Sequence, residues 1–161
     1  MTGMATYVPR ELDFADAAPV RIDGEAVADV DPAAVWAKLV DHRGWPEWWG
    51  SPLVRCEPTS DPASGVGSTR TVVLKPNIRF EERFIAWEPE SLWAFTVETG
   101  PPGIRSIVER CRIHVEGPGR TRVSYRMAID PKAGLKPLLP LLRKQVAASL
   151  QAAMERLVAS V

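Results

Sequence analysis

Apolar and polar residues alternate from the start of "VRIDGEAVADV" (20–30). Val20, Ile22, Ala26, Ala28 and Val30 fall on one face, and Arg21, Asp23, Glu25 and Asp29 on the other. Period two of this kind predicts a strand with one buried face. In "DPAAVWAKLVD" the spacing changes: Val35, Trp36, Leu39 and Val40 recur at helical intervals. Asp31 stands where an N-cap belongs and Pro32 at the first helical position. Gly44 and Pro46 end that helix, and "PEWW" supports only another turn or so. After Pro52 the runs "LVRCE", "STRTVVL", "IRFEERFIAW", "SLWAFTVET", "IRSIVERCRIHVE" and "RTRVSYRMAI" read as strands. Turn formers such as "EPE", "GPPG" and "GPG" separate the later ones, which predicts an antiparallel meander. The closing stretch returns to helical spacing with Leu139, Leu142, Val146, Leu150, Ala153, Leu157 and Val161. Pro137 and Pro140 suit its first turn, and a helix over 137–160 is about 36 Å long at 1.5 Å per residue.

The expected order is therefore one strand, two short helices, six strands and one long C-terminal helix. No repeat or long linker divides the chain. Residues 1–18 read as a loose or edge arm and 19–161 as a single domain. Alternation also assigns the sheet's inner face. On 78–87 it selects Ile78, Phe80, Glu82, Phe84 and Ala86, and on 91–99 Trp93, Phe95 and Val97. On 105–115 it selects Ile107, Glu109, Cys111, Ile113 and Val115, and on 121–129 Thr121, Val123, Tyr125, Met127 and Ile129. Two carboxylates, Glu82 and Glu109, thus share a phase with apolar neighbours. A buried unpaired carboxylate costs several kcal/mol or keeps its proton. The long helix is thin in its middle, at Ala147, Ala148, Ala152 and Ala153. A curved sheet over such a helix encloses a hollow, and polar groups in an apolar hollow mark a small-molecule site.

The stretches "AAVWAKLVDHRGWPEWW", "GVGSTRTV", "EERFIAWEPESLWAFTV", "GRTRVSYR" and "PLLPLLRKQVAASLQAAMERL", in this order of elements, resemble the START-related polyketide cyclase/dehydrase superfamily (SRPBCC) over about residues 20–160. The resemblance implies an α+β helix-grip fold. In it a curved seven-stranded antiparallel sheet, with two short helices after its first strand, grips a long C-terminal helix around an apolar cavity. Members bind lipids, sterols, polyketides or plant hormones, and some catalyse ring closure or dehydration. The likeness places "WPEWW" beside the cavity mouth.

On this reading the ligand wall draws on Trp45, Trp48, Phe80, Phe84, Trp93 and Phe95, with Ile107, Met127, Val146, Leu150 and Ala153. The tryptophans equally suit a plug for that end of the core, since buried aromatics mostly do structural work. Glu82, Glu109 and Tyr125 are the catalytic candidates, two carboxylates for acid and base and a phenol to hold a carbonyl or hydroxyl. The structural alternative pairs the glutamates with an arginine such as Arg70 or Arg105. Binding or carriage of a small apolar or aromatic molecule is the leading expectation, and an aromatase/cyclase or dehydratase the alternative. A third reading takes Arg110, Arg112, Arg120, Arg122 and Arg126 as a basic outer stripe for a protein partner, against a simply solvated sheet face.

Composition narrows the partners. The 161 residues include 20 basic and 20 acidic ones, so no net field draws nucleic acid or anionic lipid. Cys56 and Cys111 are too few for a disulfide framework or a cysteine zinc site. His42 and His114 lack a third ligand and are expected to be solvated, so neither metal nor cofactor is called for. "GVGS" lacks the Lys and Ser/Thr of a phosphate loop, and no nucleophile elbow occurs. Without a signal peptide or an apolar run of roughly 18 residues, a cytoplasmic monomer or homodimer is the expectation.

Overall fold

The computed structural model describes residues 3–161. Seven antiparallel strands form one sheet: β2 (Val20–Ala28), β3 (Leu53–Pro58), β4 (Thr69–Leu74), β5 (Ile78–Glu88), β6 (Leu92–Gly100), β7 (Ile104–Gly117) and β8 (Arg120–Pro131). Their spatial order is β2-β8-β7-β6-β5-β4-β3, and a two-residue β1 (Ala5–Thr6) adds to β6. Each neighbouring pair from β3 to β8 is a simple meander. The first strand closes the other edge by pairing with the last, Gly24 opposite Tyr125. The helices are α1 (Phe14–Ala17), α2 (Pro32–Val40), α3 (Trp45–Trp49) and α4 (Leu139–Ala159), with 3₁₀ turns at His42–Gly44 and Ala133–Leu138. The curved seven-stranded sheet, early short helices and long last helix are the expected helix-grip architecture. One boundary moves: Pro137 lies in the 3₁₀ turn and α4 starts at Leu139, with Pro140 in its first turn.

Local chemistry accounts for the short helices. Asp31 accepts from the Ala33 amide at 2.8 Å, capping α2 as expected. Asp41 accepts from the Gly44 amide and starts the turn that leads into α3. Arg156, near the end of α4, donates to the carbonyls of Trp48 at 2.9 Å and Trp49 at 2.5 Å. Those carbonyls belong to the last turn of α3 and have no helical partner, so one guanidinium satisfies both and binds the two helices together.

The N-terminal residues run along the sheet. The Tyr7 amide donates to the Glu98 carbonyl (2.9 Å) and the Val8 amide to the Arg105 carbonyl (2.8 Å), bridging β6 and β7 where their own pairing has stopped. Tyr7 is buried and its hydroxyl donates to the Pro101 carbonyl at 2.7 Å. Farther along, Ala15 and Ala18 pack on Val108 and Ala128, so α1 covers part of the outer face.

Helix α4 meets the sheet at its C-terminal half. Ala153, Met154 and Leu157 are fully buried there. Gly24 allows the close approach, since a Cβ on it would stand 2.9 Å from Leu150 Cγ and 3.1 Å from the Gln151 amide nitrogen. The Gln151 side chain gives and accepts hydrogen bonds at the backbone of Glu25, on the free edge of β2. The N-terminal half stands off, with Leu141 60% exposed and Leu138, at the end of the preceding 3₁₀ turn, 55% exposed.

Candidate functional site

A chamber of about 300 Å³ lies between the sheet and the standing-off half of α4. The strands supply most of its wall: Phe80 from β5, Phe95 from β6, Ile107 from β7 and Met127 from β8. Val146 and Leu150 close it from α4, and Trp45 and Trp49 from α3. The polar wall groups of the strands are Arg70 (β4), Glu82 (β5), Glu109 (β7) and Tyr125 (β8). Ser149 joins them from the solvent-exposed side of α4.

Four residues expected on the wall are elsewhere. Trp48, Phe84, Trp93 and Ala153 are at most 1% exposed and pack in the core. Ala153 belongs to the half of α4 pressed against the sheet, so the hollow lies beside Ala147 and Ala148 and N-terminal to Ala152 and Ala153. Trp93 stacks on Phe95 with centroids 5.5 Å apart and 20° between planes, and Phe84 meets the edge of Trp93. These rings back the wall without forming it. In α3, Trp45 and Trp49 stack 5.3 Å apart because residues four apart share a helix face, which leaves Trp48 facing the core.

Arg70 is the residue whose place the alternation of β4 encodes, in phase with Val72 and Leu74. Its side chain is wholly buried, and its Nε donates to Glu82 Oε2 at 2.6 Å. The guanidinium carbon lies 4.1 Å from the Trp45 ring centroid and 4.7 Å from that of Phe95, with Phe84 and Trp93 at 5.2 and 5.8 Å. Four rings thus stand where water would otherwise solvate the cation. Nη1 lies 3.1 Å from His42 Nδ1. A guanidinium can only donate, so Nδ1 accepts and the imidazole is neutral with its proton on Nε2. Burial and the Arg70 charge push the His42 pKa down to about 3. His42 is therefore not solvated as expected but 4% exposed, the inner neighbour of Arg70. His114 is exposed.

The two glutamates occupy unlike surroundings. Burial raises the pKa of Glu82, while the Arg70 charge and hydrogen bond work to keep it ionised. Glu109 has no such partner. Burial first, and then the nearby Glu82 charge, push it up to about 8, although the Tyr125 hydroxyl donates to its Oε2 and Arg70 pulls the other way. Tyr125 is held well above the ordinary phenol range by burial and by Glu109. Near neutrality the site thus holds one carboxylate locked to a cation and one protonated carboxyl beside a phenol. Two carboxyl groups whose environments push them apart are the arrangement from which acid and base roles are drawn.

Outside the chamber, four of the five outer-face arginines pair with acids, and Arg112 makes no ion pair among the described residues. Arg110 reaches Asp16 at 2.8 Å and Arg126 reaches Asp16 and Asp23 at 2.7 Å each. Arg122 lies 2.7 Å from Glu25, and Arg120 lies 3.1 Å from Asp29. Both cysteines are buried and unpaired. Among the described residues no three His, Cys, Asp or Glu side chains gather as a metal site, and no helix is long and apolar enough to cross a membrane.

Comparison with known proteins agrees with the architecture. The Zhui aromatase/cyclase from a Streptomyces species superposes with a TM-score of 0.74 over 88% of this chain and 92% of that one, at 13% identity. Norcoclaurine synthase from Thalictrum flavum gives 0.66 over 88% and 94%, at 18% identity. At these identities the likeness concerns the fold. An uncharacterized protein of Mycobacterium tuberculosis is 28% identical over 133 residues, covering 82% of this chain and 78% of its relative. The profile of the polyketide cyclase/dehydrase and lipid transport family matches residues 19–161, and the chain belongs to that family.

Proposed function

We propose that the protein binds and carries a small, largely apolar or aromatic molecule in the chamber, with the molecule's polar end at Glu109 and Tyr125. One observation carries this reading: an apolar hollow of about 300 Å³ with its ionisable groups brought together by β4, β5, β7 and β8. That volume is at the lower end for ligand pockets, and a mainly apolar wall with a few convergent polar groups is their usual makeup. The family's description, which joins cyclisation and dehydration with lipid transport, supports the same class of ligand.

The test is to fill the hollow. Val146→Trp adds an indole from α4 into the space. The neutral fluorophore N-phenyl-1-naphthylamine should bind the wild type with enhanced emission and bind the variant at least tenfold more weakly, with thermal unfolding little changed. Undiminished binding by the folded variant overturns the proposal.

A second reading, an aromatase/cyclase or dehydratase, is supported by the unlike states of Glu82 and Glu109. The protonated carboxyl gives a proton to a leaving hydroxyl or a carbonyl, and Tyr125 orients it. A poly-β-ketone surrogate separates the two readings. An enzyme turns it over and loses turnover, while keeping binding, in Glu109→Gln; a carrier binds it unchanged.

A further inference from the structure

We infer that the chamber selects a ligand whose polar end donates a hydrogen bond and carries no negative charge, such as a phenol, enol or alcohol, and turns away carboxylates. The inference rests on the binding reading above and concerns which molecules that site accepts.

Arg70 is the one cation among the wall residues; two of its three nitrogens are engaged, and the third, Nη2, is buried without a hydrogen-bond partner among the described residues. Its Nε is held by Glu82, its Nη1 faces His42, and Trp45 and Phe95 cover the guanidinium. Its side chain exposes no surface, so an anion gains the cation only by expelling Glu82 or moving a ring. The oxygens that a ligand meets belong to other groups. Glu82 keeps 7% of its side chain exposed and Glu109 is half-buried along the wall. The Tyr125 proton is given to Glu109, which leaves the phenol oxygen as an acceptor. Cys56 and Tyr125 stay protonated, because burial raises both, and add no positive charge. The wall therefore offers acceptors, one ionised carboxylate, and few donors, the Glu109 proton and, at the exposed side of α4, the Ser149 hydroxyl.

A donor group complements such a wall. A carboxylate brings a second negative charge toward Glu82 in a poorly solvated space, where like charges interact strongly. It enters at pH 7 chiefly as the neutral acid. With an ordinary carboxyl pKa near 4.3, that protonation alone weakens binding about five-hundredfold.

The experiment measures displacement of N-phenyl-1-naphthylamine from the wild type at pH 7 by four ligands sharing one ring system. They are 2-naphthol, 2-naphthoate, 2-methoxynaphthalene and the ammonium form of 2-(aminomethyl)naphthalene. Naphthol should compete at least tenfold better than naphthoate, and better than methoxynaphthalene, which accepts hydrogen bonds but cannot donate. An ammonium that matches naphthol supports the inference with cationic donors included; one that does not supports it with hydroxyls alone. A naphthoate disadvantage below tenfold, or methoxynaphthalene equal to or better than naphthol, overturns it while leaving the binding reading intact. If neither the probe nor any of the four is taken up, as read independently by native mass spectrometry, both fall together. Glu82→Gln releases Arg70 and should narrow the gap between naphthol and naphthoate at least threefold. A folded variant with the full gap overturns the inference, and if the variant fails to fold the wild-type comparison decides alone.

Discussion

Replacing Glu109 by Gln removes a titration without removing the bulk of the side chain. In the folded protein Glu109 holds its proton up to about pH 8, because burial and the Glu82 charge disfavour the anion. In the unfolded chain it titrates near 4.3. Between those values the folded state binds one proton more than the unfolded state, so stability falls as pH rises. The slope is about 1.4 kcal/mol per pH unit. His42 works at the other end. Its folded pKa of about 3 is below its ordinary value, so it costs stability as pH falls through about 6.5, still about 0.4 kcal/mol at pH 6.5, and that cost is gone by about pH 7.5. From pH 6.5 to 8 Glu109 therefore removes about 1.6 kcal/mol from the wild type, the slope halving as pH reaches its folded pKa. Over the same span His42 returns about 0.4 kcal/mol to wild type and variant alike. The buried cysteines add a fall of the same sign mainly above pH 8, and it cancels between the two proteins. Urea unfolding followed by tryptophan emission at pH 6.5, 7.2 and 8 reads the difference. The wild type should lose stability across the series, and Glu109→Gln should stay level or rise by about 0.4 kcal/mol as His42 finishes titrating. A flat or rising wild-type curve, or the same slope in the variant, refutes the placement of a protonated carboxyl in the wall.

Other substitutions test the supports of the chamber. Gly24→Ala places a Cβ 2.9 Å from Leu150 Cγ and 3.1 Å from helix backbone, so it should destabilise by about 1–3 kcal/mol in a denaturant titration. Arg156→Ala leaves the Trp48 and Trp49 carbonyls without their donor and should cost about 1–2 kcal/mol, with a shift in tryptophan emission as α3 loosens. Arg70→Met strands Glu82 and should cost about 3–5 kcal/mol at pH 7. Part of that loss should return toward pH 5, since protonating the stranded carboxyl relieves it; a loss independent of pH counts against the ion pair.

The strand phases were legible because period two survives from sequence to sheet, except at Val115, expected inside but 67% exposed beside the irregularity that ends β7. Glu82, Glu109 and Tyr125 reach the wall on that ground alone, and the same alternation puts Arg70 in phase with Val72 and Leu74. The position of the hollow was not legible. It depends on how far the sheet curves away from α4, and bulges in β5 between Glu81 and Glu82 and between Phe84 and Ala86 bear on that curvature. Hence Ala153 was expected on the wall and packs against the core. The three tryptophans of α3 offered no apolar–polar contrast to name a face. Only the four-residue interval between Trp45 and Trp49 carried the answer, and Trp48 was favoured instead. His42 lies in a single turn with no period at all, so nothing local signalled its burial against Arg70.

The N-terminal strap lies mostly outside the stretch shared with the family, yet it finishes the sheet. Tyr7 rests where a methyl group on Gly100 would collide, 2.6 Å from its hydroxyl, and Phe80 shares that contact. Phe80 is part of the chamber wall, so the strap is the outer lining of the same room. A chain trimmed to residues 19–161 would open a seam between β6 and β7 and bring water to the back of Phe80. The limits of shared ancestry and the limits of the sealed compartment are, in this molecule, two different boundaries.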